Sequence, residues 1–238
     1  MDKNSPPGID ALEAIISRLT DSHLFSEQTV NLMKFDILRL KTRIKCSCTR
    51  DIIPAFKKLH LGCGSRLLDG WLNVDVVNSD YDVDLACGQL PWRSRIFECI
   101  VSQHFIEHLD LISELMPLLI ELRRIMKKDG EIWLSCPDIE KICSSYLSCG
   151  MSDLFEDSRS RFPDFSLGEL PASHMINHLF HQNGEHKNLY DFTLLKWLLK
   201  KTGFKNIKRE TEVSFLKKFS NFPPRNDDMQ TLYIQATA

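Results

Sequence analysis

The sequence predicts an α/β fold: a doubly wound sheet of about seven strands, mostly parallel with an antiparallel C-terminal strand, behind an N-terminal helical extension. Three observations carry this. From Lys58 onward short apolar runs alternate with helical periodicity, the pattern of parallel strands joined by crossover helices. Lys57 to Asp75 reads as strand, glycine turn (Gly62, Gly64), strand and acid. Glu114 to Lys128 sets Leu115, Leu118, Leu119, Leu122, Ile125 and Met126 on one helix face between two buried strand candidates.

Residues 1–8 read as a leader without periodicity. Ile9 to Leu19 has apolar residues at helical spacing, and Ser26 to Ile44 sets Val30, Met33, Ile37 and Leu40 on one face. Residues 1–56 form the extension and 57–238 the main domain. Its strands are Lys58 to Leu61, Trp71 to Val76 after an Asp69-Gly70 turn signal, Tyr81 to Leu85, and Phe97 to Ser102 after a Leu90-Pro91-Trp92 loop. The following H-F-I-E-H-L is predicted helical, which places His104 and His108 at i and i+4 on one face beside Glu107. The helix over 114–128 takes Ser113 as N-cap and Gly130 as its stop, with Pro117 tolerated near the first turn. Glu131 to Ser135 is a fifth strand. Ile139 to Tyr190, rich in Ser, Asp, Pro and His, suits an insertion or lid on the substrate side. Phe192 to Thr202 is a helix ended by Gly203. Phe204 to Arg209 and Met229 to Ala236 are closing strands, joined through Phe222-Pro223-Pro224.

A chain of 238 residues can bury one sizeable core, and a formal net charge of -2 gives no general attraction for nucleic acid or anionic membranes. Neither a signal peptide nor a membrane-spanning apolar run is visible. Eight cysteines without an export signal point to a reducing, cytoplasmic setting and free thiols. The close pair Cys46 and Cys48 lacks the spacing of a structural zinc site.

The glycine turn and the spaced acid suggest a nucleoside cleft at the carboxyl ends of parallel strands. Glycines let a ligand approach the main chain, and an acid on the neighbouring strand can accept from ribose hydroxyls. A dinucleotide fingerprint would place a third glycine where Leu67 stands and an acid about 20 residues on. Asp75 follows Gly64 by only 11 residues, room for about one helical turn, so a pyrophosphate is poorly served and a phosphate-free nucleoside fits better.

The ordered set L-H-L-G-C-G-S, N-V-D-V, D-L-A-C-G-Q-L-P-W, F-E-C-I-V-S-Q-H-F-I-E-H-L and L-R-R-I-M-K-K-D-G-E-I-W-L-S-C-P-D resembles the class I S-adenosylmethionine-dependent methyltransferases. The likeness is to type 11-like members, a small bacterial-type group associated with glycan and cell-surface pathways. It covers roughly residues 57 to 210. The resemblance implies a Rossmann-like fold with S-adenosyl-L-methionine as cofactor. Gly62, Cys63 and Gly64 would line its methionine part. Asp75, with Val76 beside it, would hold the ribose. Asp84 and Leu85 would meet the adenine, and Ser102, Gln103 and His104 would lie beside the sulfonium and the acceptor. Three residues depart from the family pattern. His60 stands for an acid, Arg66 for the usual third glycine, and Glu98 for an Asp; a guanidinium at Arg66 could pair the cofactor carboxylate.

Methyl transfer to a hydroxyl needs alignment, exclusion of water and a base near neutral pKa. The candidates are His104, His108 and Asp138, with His178, His181 and His186 further away in sequence. A nitrogen/oxygen metal set of His104, Glu107, His108 and one of His174, His178 or His181 is the weaker alternative, and no metal is expected. The expected reaction is methylation, at oxygen, of a small-molecule or glycan-type acceptor. Basic runs at Lys34 to Lys58 and Lys196 to Arg209 read as solvated helix faces that leave peripheral membrane contact open. They lack the interleaved aromatics that stack bases, which disfavours nucleic acid. Two other readings are a non-catalytic partner subunit and an NAD-dependent sugar-modifying enzyme.

Overall fold

The computed structural model describes residues 8–21, 24–46 and 51–238; most of the expected leader and Cys48 lie outside them. Seven strands form one sheet: β1 (Lys58–Leu61), β2 (Leu72–Asp75), β3 (Tyr81–Asp82), β4 (Phe97–Gln103), β5 (Met126–Pro137), β6 (Lys205–Glu210) and β7 (Thr231–Thr237). Their order is β3-β2-β1-β4-β5-β7-β6. The pairs among β1 to β5 are parallel, while β7 runs antiparallel to both β5 and β6. This is the expected Rossmann-like sheet. The chain leaves β1 in one direction to β2 and β3, then returns to β4 on its other side, so the topological switch point lies between β1 and β4.

Alternation along the strands separates two cores. Ile100, Ile132, Leu134, Leu232 and Ile234 face an aliphatic layer under α3 (Met116–Ile125) and α7 (Phe192–Lys201), with Leu118, Leu122, Leu195 and Leu198 fully buried. The intervening residues Cys99, Val101, Trp133 and Tyr233 meet an aromatic layer of Trp71, Phe215, Phe219 and Phe222. Phe215 lies on α8 (Glu212–Lys218), a seven-residue helix whose periodicity is too short to read from sequence, and Phe219 caps its C-terminus.

Several boundaries differ from expectation. β3 is two residues long, because the Asp84 side chain accepts from the Ala86 amide and caps a 3-10 turn over Leu85–Cys87. The helix expected over 114–128 begins with a π turn at Leu111–Leu115. Its cap is Asp110 rather than Ser113, with Asp110 Oδ1 accepting from the amides of Ile112 and Ser113 at 3.1 and 2.7 Å. α3 then ends at Ile125. Met126 already pairs with Phe97, so Gly130 lies inside β5 and stops nothing.

Residues 139–190 form α4 (Ile139–Cys149), α5 (Ser152–Arg161) and α6 (Met175–His181) around a small core of Ile142, Met151, Leu154, Met175 and Leu179. In the extension, α1 (Ile9–Asp21) packs on α2 (Glu27–Cys46) through Ile9, Ile16, Val30 and Ile37. Leu40, expected on that face, is exposed. Nor is the basic face of α2 wholly solvated. Arg39 and Arg43 turn inward to Asp84, and Thr42 donates to the Val76 carbonyl at 3.1 Å. Among the described residues, no helix is long and apolar enough to cross a membrane.

Candidate functional site

Two turns meet at the switch point. The first follows β1. Gly62 and Gly64 hold φ of +61° and +53°, a region other residues enter only at a cost. The amides of Gly62 and Cys63 both donate to the Val74 carbonyl, at 2.9 and 3.3 Å, which ties the turn to β2. Asp75 then closes it: Oδ2 accepts from the Gly64 amide at 2.8 Å and Oδ1 from the Val76 amide at 2.7 Å. Each oxygen keeps acceptor capacity for a further donor.

The glycines do different jobs. A Cβ on Gly62 would stand 2.5 Å from the Phe105 ring, so this glycine admits a neighbouring side chain. A Cβ on Gly64 would meet nothing within 4 Å, so this main chain lies open for a ligand. Cys63 is buried, and burial followed by the Asp75 charge pushes its thiol up to about 12, which removes it as a nucleophile. No helix occurs between Gly62 and Trp71.

The departures from the family pattern take definite places. His60 is buried, with Nδ1 3.2 Å from Asn73 Oδ1 and its ring 5.1 Å from that of Phe222. Burial pushes its pKa down to about 4, so it is a neutral core group at pH 7. Arg66 is half-buried, and its Nη1 is fully covered with no hydrogen-bond partner. Glu98 lies on the outside and pairs with Lys127 at 2.6 Å.

Asp84 is buried and its acceptor capacity is taken. Arg39 Nε lies 3.2 and 3.3 Å from its two oxygens, Arg43 donates to Oδ2, and the Ala86 amide donates to Oδ1 at 3.0 Å. An adenine amino group has no vacant acceptor there while both arginines stay. Leu85 is buried within the adjoining turn. At the ends of β4 and β5 the hydroxyls of Ser102 and Ser135 are buried without partners, while the neighbouring Gln103 is largely buried.

The second turn follows β4. His104 itself takes φ +52° and lies outside the short 3-10 turn Ile106–His108, so His104 and His108 do not share a helix face as expected. The left-handed residue sends the two rings to different partners. His104 Nε2 lies 2.9 Å from Asp227 Oδ2 and 3.2 Å from Thr231 Oγ1, while its Nδ1 lies 3.3 Å from Glu107 Oε1. Burial favours the neutral ring, yet Asp227 and Glu107 outweigh it and raise the His104 pKa. Asp227 is held well below the usual carboxylate range: burial opposes the shift, but His104 and Arg225 prevail. Two flanking carboxylates favour the protonated ring, which makes His104 a poor candidate for the base.

Asp138 is fully buried. Its Oδ1 caps α4 through the Glu140 amide at 3.1 Å, its Oδ2 has no hydrogen bond, and Arg209 stands 4.0 Å away. Burial raises its pKa against the opposing Arg209 charge, as suits a carboxyl base. His174, His178 and His181 line a separate cavity of about 410 Å³ with Asn177 and Gly184. Another cavity, of about 520 Å³, runs along the β3 edge past Arg43, Asp84, Trp92 and Arg124, away from the glycine turn.

Sequence reasoning missed the C-terminal wall. Asp227 accepts from the Arg225 guanidinium at 3.0 Å and from the Tyr233 hydroxyl at 2.9 Å. Glu212 holds this loop by accepting from the amides of Arg225, Asn226 and Asp227. The run R-N-D-D after two prolines is the signal present in the sequence, and no spacing rule ties it to His104.

No protein-family profile matches the chain, and no curated protein matches its sequence. Solved structures of similar fold do. A SAM dependent methyltransferase from Archaeoglobus fulgidus is 16% identical, with 85% of this chain and 94% of that one covered and a TM-score of 0.44. A possible histamine N-methyltransferase from Thermotoga maritima is 13% identical, with 84% and 88% covered and a TM-score of 0.45. Phosphoethanolamine N-methyltransferase 2 of Haemonchus contortus, in complex with S-adenosyl-L-methionine, is 13% identical over 84% of this chain and 51% of its own, with a TM-score of 0.42. The likeness is one of fold.

Proposed function

We propose that this chain binds S-adenosylmethionine at the β1/β4 switch point and transfers its methyl group to an oxygen of a small-molecule or glycan-type acceptor. The observation that carries this reading is the closure of the Gly64 amide on Asp75 at 2.8 Å, beside a main chain open to a ligand. Asp75 offers its remaining lone pairs to two ribose hydroxyls. Arg66, with a buried and unpartnered guanidinium nitrogen, supplies a donor for the cofactor carboxylate. The Ser102 hydroxyl, orphaned beside Leu61 at the end of β1, fits a polar ligand at the switch point. The absence of a helix from Gly62 to Trp71 removes the usual pyrophosphate site and disfavours NAD.

The cofactor supplies an electrophilic methyl on its sulfonium, and the protein aligns the acceptor and takes its proton. Among the expected bases, Asp138 suits that task better than His104, whose protonated form Asp227 and Glu107 favour. Isothermal titration with S-adenosylmethionine and S-adenosylhomocysteine tests the reading: micromolar binding is expected, and Asp75→Ala should weaken it about hundredfold. Release of S-adenosylhomocysteine in the presence of a small-molecule extract should disappear in Asp138→Asn while cofactor binding persists. No binding by the wild-type chain sinks the proposal. The saturation of Asp84 by Arg39 and Arg43 favours one competitor, a non-catalytic subunit whose α2 occupies the adenine end. Binding without turnover across acceptor classes would support it.

A further inference from the structure

Glu107, His108 and His186 converge beside the second turn: the candidate ligand atoms of all three lie within 4.8 Å of one another. Each histidine ring is oriented by a backbone carbonyl at Nδ1. His108 Nδ1 lies 3.2 Å from the Glu185 carbonyl and His186 Nδ1 lies 2.7 Å from the Leu179 carbonyl. A carbonyl can only accept, so both rings carry their proton on Nδ1 and keep the Nε2 lone pair free. Metal-binding histidines are fixed in this way, by donating the remote N–H to a carbonyl or carboxylate. The two rings meet edge-on with centroids 5.0 Å apart.

Glu107 provides the independent observation. Its side chain is fully buried, and among the described residues neither carboxylate oxygen has a hydrogen bond. Its one ionic contact, His104 Nδ1 at 3.3 Å, lies outside hydrogen-bond geometry. The His104 ring offsets part of the cost of this buried carboxylate, and its remaining lone pairs are unused, which favours a further cation there.

The cluster is also held rigidly across a wide gap in sequence. The amides of Lys187 and Asn188 donate to the Glu107 carbonyl at 2.8 and 3.2 Å, and Asn188 Nδ2 donates to the Leu109 carbonyl at 2.7 Å. These bonds dock the strand of chain after His186 onto the turn that carries the other two ligands.

We propose that Glu107, His108 and His186 form a binding site for one divalent transition-metal ion. Two imidazoles and one carboxylate match zinc and its first-row neighbours rather than magnesium or calcium, which prefer all-oxygen sets. Bond lengths of about 2.0–2.2 Å ask the three side chains to draw together slightly on binding. Three protein ligands leave a coordination position for solvent or for an acceptor oxygen. Use of that position in methyl transfer rests on the function proposed above; binding of the ion does not.

The test uses the full chain, stripped with a chelator and without any S-adenosyl compound. Zinc is titrated by calorimetry and cobalt by its visible ligand-field absorption. One ion per chain is expected, with a cobalt spectrum of low coordination number and a metal-dependent rise in Tm. Glu107→Gln, His108→Ala and His186→Ala should each weaken binding at least tenfold and abolish the Tm rise. His181→Ala, in the separate histidine-lined cavity, should bind as wild type. Circular dichroism in chelator checks the folding of each variant. Should Glu107→Gln fail to fold, His108→Ala, on a half-exposed ring, decides the matter. Failure of the wild type to bind stoichiometrically overturns the proposal. So does unchanged affinity in His108→Ala and His186→Ala, or loss in His181→Ala alone.

Discussion

The turns after β1 and β4 leave adjacent parallel strands and face the same crevice, yet they are built in opposite ways. The β1 turn takes its left-handed residues as Gly62 and Gly64 and closes on an acid 11 residues away. Its main chain is satisfied locally and stays open to a ligand at Gly64. The β4 turn puts a histidine at φ +52°, at a cost of about 1–2 kcal/mol, and is held from outside by Asp227 and Thr231, more than 100 residues further on. A charge-assisted hydrogen bond of about 1.5–3 kcal/mol offsets that strain. The first turn folds on its own sequence. The second is an assembly point where three remote segments of chain meet.

The largest effect expected from breaking this contrast is at Gly62. Gly62→Ala combines left-handed strain with overlap on the Phe105 ring 2.5 Å away, for a loss of about 4 kcal/mol in urea unfolding. Gly64→Ala meets open space and should cost only about 1–2 kcal/mol. Equal costs would show that Phe105 yields, and that the two glycines do the same work.

Acid comes next. His60 titrates near 6.5 when unfolded and at about 4 when folded, so its contribution is complete above pH 6.5 and is lost as pH falls toward 4. A shift of this size corresponds to a loss of roughly 3 kcal/mol. Stability measured from pH 7 to 4 should fall accordingly, and a His60→Gln variant should flatten the slope. Glu114 acts in a lower window. Burial opposes ionisation, but Lys187, the Asp110 amide and Arg39 hold its pKa at about 2. Its contribution is present above about pH 4.5 and is lost as pH falls toward 2. Because Arg39 lies on α2, hydrogen exchange in α2 should rise in that window ahead of exchange in the sheet.

The third effect concerns the first turn. Asp75→Ala removes the acceptor of two amides and the proposed ribose partner, and should weaken S-adenosylmethionine binding about hundredfold in calorimetry. The smallest concerns α2. Arg43→Ala frees one acceptor position on Asp84 and should tighten the same binding about fivefold, roughly 1 kcal/mol. Weaker binding in this variant would mean that the arginine clamp supports the adenine end rather than competing for it.

Much of this architecture is legible in residue order because its signals are local. Leu59 and Leu61 alternate across a strand that ends at a glycine turn, and Leu118, Leu119, Leu122 and Ile125 repeat at helical spacing. The Gly64–Asp75 closure follows from a short parallel crossover, so its two ends are visible within one stretch. Short elements misread for the converse reason. At Met126 pairing with Phe97 overrides continued helical periodicity, and α8 is too brief to show any period.

Residue order therefore determined the mostly parallel sheet and the glycine turn with its acid, since each depends on propensities and spacings over a dozen residues or so. Tertiary structure alone decided the surroundings of the second turn: Asp227 on His104, Arg39 and Arg43 on Asp84, and His186 beside Glu107 and His108. Those contacts are made by charged and polar side chains across gaps of more than 40 residues. No periodicity encodes such pairings. They are chosen by which groups the packed sheet leaves buried and in need of a partner.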